Sequence, residues 1–227
     1  RNLNVAYSIR KIVPGYRDPV IRISRADGFV CDILFDRNDE LSVDSDATVI
    51  NPGGSAYVVG DVISFGQYLS ETPTGFVYVN TWYDQTGNGN HLVNNGANQY
   101  KPTIAVDGEI NLLNDKPTID FSATLTSFNR KFLVSDPVID KNGQVFLVAS
   151  FDNNFGPIFN NHITNANNLW GLAPNSFNLL GGNASNAIRA SVKYQNGLLR
   201  SNGTLRNPAL RNNILAMYSI APLVDPS

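Results

Sequence analysis

The chain is poor in charged residues. Asp, Glu, Lys and Arg make up 16% of its 227 residues, against a usual share of about 25%, and the formal net charge is −2. No run of Lys or Arg supplies the basic surface that displaces counterions from phosphates, which argues against a nucleic-acid-binding protein. The longest apolar run, residues 145–149, is far shorter than the roughly 20 residues that cross a bilayer. Asn, Ser, Thr and Gly take the place of the missing charge and predict a polar, uncharged surface.

Cysteine occurs only once, as Cys31. A single cysteine can form neither an internal disulfide nor a cysteine-rich zinc site. We therefore expect Cys31 to be a small buried hydrophobe, with a reactive thiol as the alternative. The sequence begins at Arg1 without Met and without a basic-then-apolar signal, so we also expect a piece of a longer or processed protein.

Short runs rich in β-branched and aromatic residues, separated by Gly, Pro, Asn and Asp, recur along the chain and favour an all-β fold. Residues 75–83 form the strongest strand pattern, and residues 20–35 predict a hairpin. Further strands are predicted at 116–121, 144–151, 156–160, 168–173, 187–194 and 213–220. The one candidate helix is 6–13, while 37–75 is turn-rich and weakly patterned. No linker-like composition appears, so a single domain over 1–227 is expected, with a closing strand missing at its C-terminal end.

A strand that runs into a tight, Gly- and Asn-rich loop is the most informative local pattern. Gly87, Asn88, Gly89 and Asn90 accept positive φ, so residues 83–91 predict a sharply wound loop. Asp84, at the strand end, is expected to accept several backbone amides of this loop. A calcium site is a weaker alternative: the spacing of the loop matches the first half of an EF-hand loop, but position 12 is Asn95 instead of Glu. This rules out an EF-hand and leaves open a looser calcium site through Asp84.

The same loop carries a family resemblance. Residues 83–92, YDQTGNGNHL, resemble the Tyr-Asp-Gln-Ser-Gly-Asn-Gly-Asn-His motif in the catalytic domain of family 54 α-L-arabinofuranosidases. They are equally similar to concanavalin A-like (laminin G-like) domains of bacteriophage and bacterial surface proteins, whose order and spacing the chain follows from about residue 5 to about 160. The resemblance implies an all-β fold, a two-sheet antiparallel β sandwich of the concanavalin A-like jelly-roll type, with little helix. It marks a structural loop motif: Tyr83, Asp84, Gln85, Gly87, Asn88, Gly89, Asn90 and His91.

The carboxylates argue against the hydrolase chemistry of the enzymes in this resemblance. Glycoside hydrolysis usually requires two carboxyl groups across the scissile bond. The enzymes carry their nucleophile in a Gly-Asn-Ala-Glu segment preceded by adjacent cysteines, whereas residues 182–185 read Gly-Asn-Ala-Ser and no cysteine pair precedes them. Glu occurs only three times, at Glu40, Glu71 and Glu109. A pair drawn from Asp84, Asp120 and Asp152 stays open, since the sequence does not show whether the fold brings them together.

Other catalytic arrangements lack a signal. The two histidines, His91 and His162, are expected to be structural and exposed, respectively. A Ser-His-Asp site has no Gly-x-Ser-x-Gly elbow to support it, and phosphate-binding Gly-rich signatures are missing. No catalytic residue is therefore predicted, and no cofactor is predicted apart from the possible calcium.

A sugar-binding surface fits the composition better, because aromatic faces stack on sugars while amides and carboxylates match their hydroxyls. Trp82 is expected to pack in the core. The candidate ligand-binding residues are Asp84, Asn88, Asn90, Tyr100 and Trp170.

The expected function is a non-catalytic glycan- or host-surface-binding domain of an exposed protein, such as a bacteriophage virion fibre or a bacterial surface protein. Such a domain would lie outside the cell or on the virion surface and would form a homo-oligomer or part of a larger virion assembly, without nucleic acid or a membrane span. The alternatives are a structural virion or capsid decoration domain and a glycoside hydrolase resembling α-L-arabinofuranosidase.

Overall fold

The computed structural model divides the chain into two compact units, Arg1–Val138 and Ile139–Ser227. It describes residues 3, 5–71, 74–121, 131 and 133–134, together with the backbone of six strands between 144 and 219. Each unit is described by itself. The single domain expected over 1–227 stays a prediction.

An antiparallel eight-stranded sheet dominates the first unit. Its strands are β1 (Ile21–Ser24), β2 (Val30–Ile33), β3 (Asp46–Asn51), β4 (Val62–Ser64), β5 (Phe76–Trp82), β6 (Leu92–Val93), β7 (Thr103–Val106) and β8 (Glu109–Ile110). Their order is β4-β3-β2-β1-β5-β7-β8, and β6 pairs with the end of β5. A two-stranded ribbon of β9 (Leu112–Leu113) and β10 (Lys116–Pro117) follows. The helical elements described in this unit are α1 (Phe65–Ser70) and a 3₁₀ turn, Asn98–Tyr100.

The second unit is also antiparallel β structure. Its strands are β11 (Gln144–Ala149), β12 (Phe159–Asn160), β13 (Gly171–Leu172), β14 (Val192–Gln195), β15 (Leu198–Ser201) and β16 (Ile214–Ser219). Four of them form a sheet in the order β11-β16-β14-β15, in which Leu147 lies opposite Ala216, while β12 pairs with β13.

The core of the first unit lies on one face of the large sheet. Ile21, Ile23, Cys31 and Val79 are fully buried there, and α1 contributes further buried apolar side chains. The burial of Cys31 confirms its expected role as a small hydrophobe, and burial raises the pKa of its thiol to about 12.

Helix α1 starts where its first free backbone amides find partners. The Ser64 hydroxyl accepts the Gln67 amide at 3.0 Å, and the Gln67 side chain accepts the Ser64 amide at 2.9 Å. This capping box satisfies two donors that the first turn would otherwise leave unpaired. The short helix can therefore place Phe65, Tyr68 and Leu69 in the core.

The predicted fold class is confirmed: the described chain is all-β and antiparallel with very little helix, which is consistent with the predicted β sandwich. The strongest predicted strand corresponds to β5, and the predicted hairpin to β1 and β2. In the second unit, β11 and β16 lie within the runs 144–151 and 213–220. Among the described residues, no helix is long and apolar enough to cross a membrane.

Two predictions of local structure are wrong. Residues 6–13 are not helical, because their backbone groups bond to side chains of a distant loop instead of to each other. The segment 37–75, turn-rich and weakly patterned in the sequence, contains β3, β4 and α1, which are only three to six residues long and therefore give a short pattern. The strand predicted over 116–121 shortens to Lys116–Pro117.

Candidate functional site

Asp84 lies at the end of β5 and is only 1% exposed. One carboxylate oxygen accepts the backbone amides of Ala6 at 2.8 Å and Thr86 at 3.0 Å. The other accepts the Thr86 hydroxyl at 2.7 Å. Asp84 thus accepts one backbone amide of the loop, that of Thr86, instead of the several expected, and its second amide comes from Ala6, outside the loop. Three protein donors therefore compete with any ligand or cation for these two oxygens.

Gln85, the next residue, is also 1% exposed and holds the N-terminal segment, residues 5–13. Its side-chain oxygen accepts the Ile12 amide at 2.9 Å, and its side-chain nitrogen donates to the carbonyls of Ser8 and Arg10, both at 2.9 Å. Its backbone amide donates to the Ala6 carbonyl at 2.8 Å. Asp84 and Gln85 thus form a clamp that binds the backbone of a segment more than 70 positions away in the sequence.

The rest of the motif completes the turn. Gly87 and Gly89 have φ of 79° and 77°, as the predicted winding requires. The Nδ1 atom of His91 accepts the Asp84 amide at 3.1 Å, which makes Nε2 the protonated nitrogen, and the ring packs edge-on against Tyr83 at 4.9 Å. His91 therefore has the structural role that the sequence indicated.

Two predicted ligand-binding residues flank this turn. Asn88 is exposed, and its side-chain nitrogen donates to the Leu3 carbonyl at 3.4 Å. Asn90 is half-buried, and its carbonyl accepts a hydrogen bond from the Tyr7 hydroxyl. Asn88 therefore contacts Leu3, two positions before the N-terminal segment, and Asn90 contacts Tyr7 within it.

Tyr83 ties the loop to the neighbouring strands. Its hydroxyl donates to Asp32 on β2 at 2.9 Å, and Arg22 on β1 binds both oxygens of the same carboxylate at 2.7 Å. Burial, followed by the charge of Asp32, holds the pKa of the Tyr83 phenol above its usual range, so it acts as a neutral donor. This network crosses three strands and orients the end of β5.

The remaining predicted residues are dispersed. Tyr100 is half-buried in the 3₁₀ turn, and its carbonyl accepts the Asn94 side chain at 2.9 Å. Trp82 packs against the core, as expected. Its ring centroid lies 6.0 Å from that of Tyr7, and its indole nitrogen is buried without a hydrogen-bond partner. Trp170, Asp152, His162 and the segment 182–185 lie outside the described residues.

The three glutamates belong to three different elements. Glu40 precedes β3 and forms an ion pair with Arg10 at 2.6 Å. Glu71 is the C-cap of α1 and accepts the Tyr57 hydroxyl at 2.5 Å, while Glu109 is exposed on β8. Within the part of the chain that the structure describes, no group of three His, Cys, Asp or Glu side chains could hold a metal ion. Calcium through Asp84 stays a prediction.

A surface groove of about 260 Å³, which the sequence did not indicate, lies between the turn after β1 and a second set of residues, Glu71 and residues 74–76. We call it the Phe76 groove. Its lining residues are Arg25, Ala26, Asp27, Glu71, Thr74, Gly75 and Phe76. Phe76 is 51% exposed. Nothing in the local spacing predicts that these two chain segments meet.

One wall of the Phe76 groove is rigid. The Arg25 side chain is 7% exposed, and its guanidinium lies over the rings of Phe29 at 4.8 Å and Tyr68 at 5.3 Å. It forms an ion pair with Asp27, and the hydrogen bond from Arg25 holds the pKa of that carboxyl below its usual range. The charges of this wall are therefore fixed in position before any ligand arrives.

A wider depression of about 480 Å³ is lined by Phe35, Asp36, Arg37, Asp44 and Asp46. Phe35 packs against the core and Tyr16, so this depression offers mostly polar groups. Of these two surface depressions, the Phe76 groove is the one that combines an exposed aromatic ring with positioned charges.

Comparison with known protein families, with curated proteins and with solved structures found no match for the chain. The function of the chain is therefore inferred from the chemistry of its own residues.

Proposed function

We propose that this chain is a non-catalytic domain that binds glycans on a host or neighbouring cell surface. The exposed ring of Phe76 beside the carboxylates of Asp27 and Glu71 carries the proposal. A flat apolar ring can stack on the C–H face of a pyranose while carboxylates and a hydroxyl accept and donate hydrogen bonds to its hydroxyls. Thr74 supplies such a hydroxyl at the same groove.

The size and rigidity of the Phe76 groove support recognition of one sugar residue. Its volume of about 260 Å³ lies just below the roughly 300–1,000 Å³ of drug-sized pockets. Arg25 and Asp27 are held by stacking and by their ion pair, so binding costs little side-chain ordering on that wall. A single terminal or branching sugar fits this description better than a long oligosaccharide chain.

The proposed setting is an exposed protein, such as a bacteriophage virion fibre or a bacterial surface protein, in which copies of the domain assemble. Single-sugar sites are individually weak, and several linked copies would raise the effective affinity without any new contact. The polar, weakly charged composition of the chain supports such a surface.

Binding of the full chain to a glycan array tests the proposal. We expect a restricted set of glycans to bind, and Phe76→Ala to lose at least about tenfold in affinity, equivalent to about 1.4 kcal/mol. Phe121→Ala is the matched control, because Phe121 is an exposed phenylalanine outside the Phe76 groove. An array without specific binding, or an equal loss in both variants, would contradict the proposal.

A structural assembly role is the second candidate. Val62 of β4, the last strand at one side of the described sheet, is 60% exposed, and Val58 and Val59, in the chain just before β4, are 63% and 67% exposed. An exposed apolar edge strand is a template for pairing with another chain. Oligomers that dissociate in Val62→Lys, together with a silent glycan array, would favour this role over sugar binding.

A further inference from the structure

The charges of the Phe76 groove are unbalanced. Its lining holds one cation, Arg25, and two carboxylates, Asp27 and Glu71. Arg25 forms an ion pair with Asp27, so the carboxylate of Asp27 balances its positive charge. Glu71 accepts a hydrogen bond from the neutral Tyr57 hydroxyl through one oxygen, and among the described residues no Lys or Arg forms an ion pair with this carboxylate. The groove therefore presents a net negative charge to a ligand.

An aromatic face and a carboxylate at one site form a recognition pair for an ammonium group. A cation over an aromatic ring is attracted by the ring quadrupole, and an ammonium donates charge-assisted hydrogen bonds to a carboxylate. Phe76 and Glu71 supply these two elements on the lining of one groove. An acidic sugar would meet like charge at the same place, and a neutral sugar would donate only hydroxyl hydrogen bonds to the carboxylate, without the positive charge of an ammonium.

We propose that the Phe76 groove selects a pyranose that carries a free amine, a 2-amino-2-deoxyhexose, over its N-acetylated, neutral and acidic counterparts. The proposal rests on the proposed function, since it assigns the sugar class to the same groove. The aromatic ring stacks on the C–H face of the sugar, and the Glu71 carboxylate accepts hydrogen bonds from the ammonium group.

Calorimetric titration of the full chain with four methyl glycosides tests this selectivity. The probes are methyl glucosaminide, its N-acetyl derivative, methyl glucoside and methyl glucuronide, measured at about pH 6, below the value of about 7.7–8.0 typical of an α-amino group. A fifth probe, Nα-acetyl-lysine methyl ester, carries an ammonium without a sugar. We expect methyl glucosaminide to bind about tenfold more tightly than the other four.

Glu71→Gln should remove this preference and leave sugar binding itself in place. Asp44→Asn is the matched control, because it removes one exposed carboxylate that lies outside the Phe76 groove. Raising the pH until the amine is neutral should reduce the preference in the unmodified chain in the same way.

Each other outcome overturns the assignment. Equal affinity for the amine and the N-acetyl sugar, or a preference that persists in Glu71→Gln, refutes amine selectivity while glycan binding stands. Equal binding of the lysine ester shows that an ammonium alone is recognised and refutes the sugar assignment. Failure of every glycoside to bind refutes the assigned sugar class, and a glycan array without specific binding then refutes the proposed function as well.

Discussion

Replacing Gln85 by Ala should release the N-terminal segment from the sheet. The buried Gln85 side chain makes three hydrogen bonds of 2.9 Å, to Ile12, Ser8 and Arg10, and a fourth of 3.4 Å to Val13. A hydrogen bond contributes a net of about 1 kcal/mol to stability, so the three shorter bonds together are worth about 3 kcal/mol. The segment lies near the surface, where water can hydrate its freed groups, which keeps the cost near this value instead of above it.

Amide hydrogen exchange measures this loss locally, which suits a chain with two compact units. We expect faster exchange in Gln85→Ala at Ile12, whose amide loses its acceptor, and at Leu41, whose amide donates to Ile9 in the same segment. Gln99→Ala is the matched control, because Gln99 is exposed in the 3₁₀ turn. Strands β11 and β16 of the second unit should keep their protection.

A conservative variant separates hydrogen bonding from simple loss of volume. Gln85→Glu keeps the size but turns an oxygen towards the carbonyls of Ser8 and Arg10, so the folded-state pKa of the new carboxyl should rise above its usual value of about 4.3. A raised folded-state pKa gives stability that is present below the unfolded-state value and is lost as pH rises through the folded-state one. In Gln85→Glu, the amides of the N-terminal segment should therefore be better protected from hydrogen exchange at about pH 4 than at about pH 7. A loss below about 0.5 kcal/mol in Gln85→Ala, or a pH-independent Gln85→Glu, would refute the clamp.

Three further outcomes follow from the fold. Cys31 should resist a thiol reagent in the native state at about pH 8 and react in urea, because burial raises its thiol pKa to about 12; rapid native labelling would contradict its core position. Gly53→Ala should lower the free energy of unfolding more than Gly87→Ala does. The new Cβ at position 53 would lie 2.6 Å from the Phe29 nitrogen, whereas a new Cβ at position 87 would have no atom within 4 Å. Equal free energies of unfolding in the two variants would refute the close approach. The ion pair with Arg25 lowers the pKa of Asp27, so it stabilises the fold above the unfolded-state pKa of about 3.9, and this stability is lost as pH falls through the folded-state pKa. The free energy of unfolding should therefore depend less on acid pH in Asp27→Asn. An unchanged acid dependence in this variant would contradict the pairing.

Much of the local β structure could be predicted because it depends on neighbouring residues. The alternation in β5 and the hairpin of β1 and β2 follow from a period of two and from turn residues. The register of β5 could not be predicted in the same way. A bulge opposite Arg22 and Ile23 places both Val79 and Trp82 on the core face, although three positions separate them.

The sequence by itself determined the fold class, the buried thiol of Cys31 and the winding of the loop at 83–91, because each depends on composition or on short-range conformational preference. Only the tertiary structure decided what the loop does. Asp84 and Gln85 bind the backbone of residues 5–13. Because every residue carries the same backbone groups, the pattern of side chains does not predict which segment is bound. The same holds for the Phe76 groove, since Arg25 and Asp27 come from a part of the chain distant from Glu71 and Phe76, and long-range strand pairing brings the two parts together.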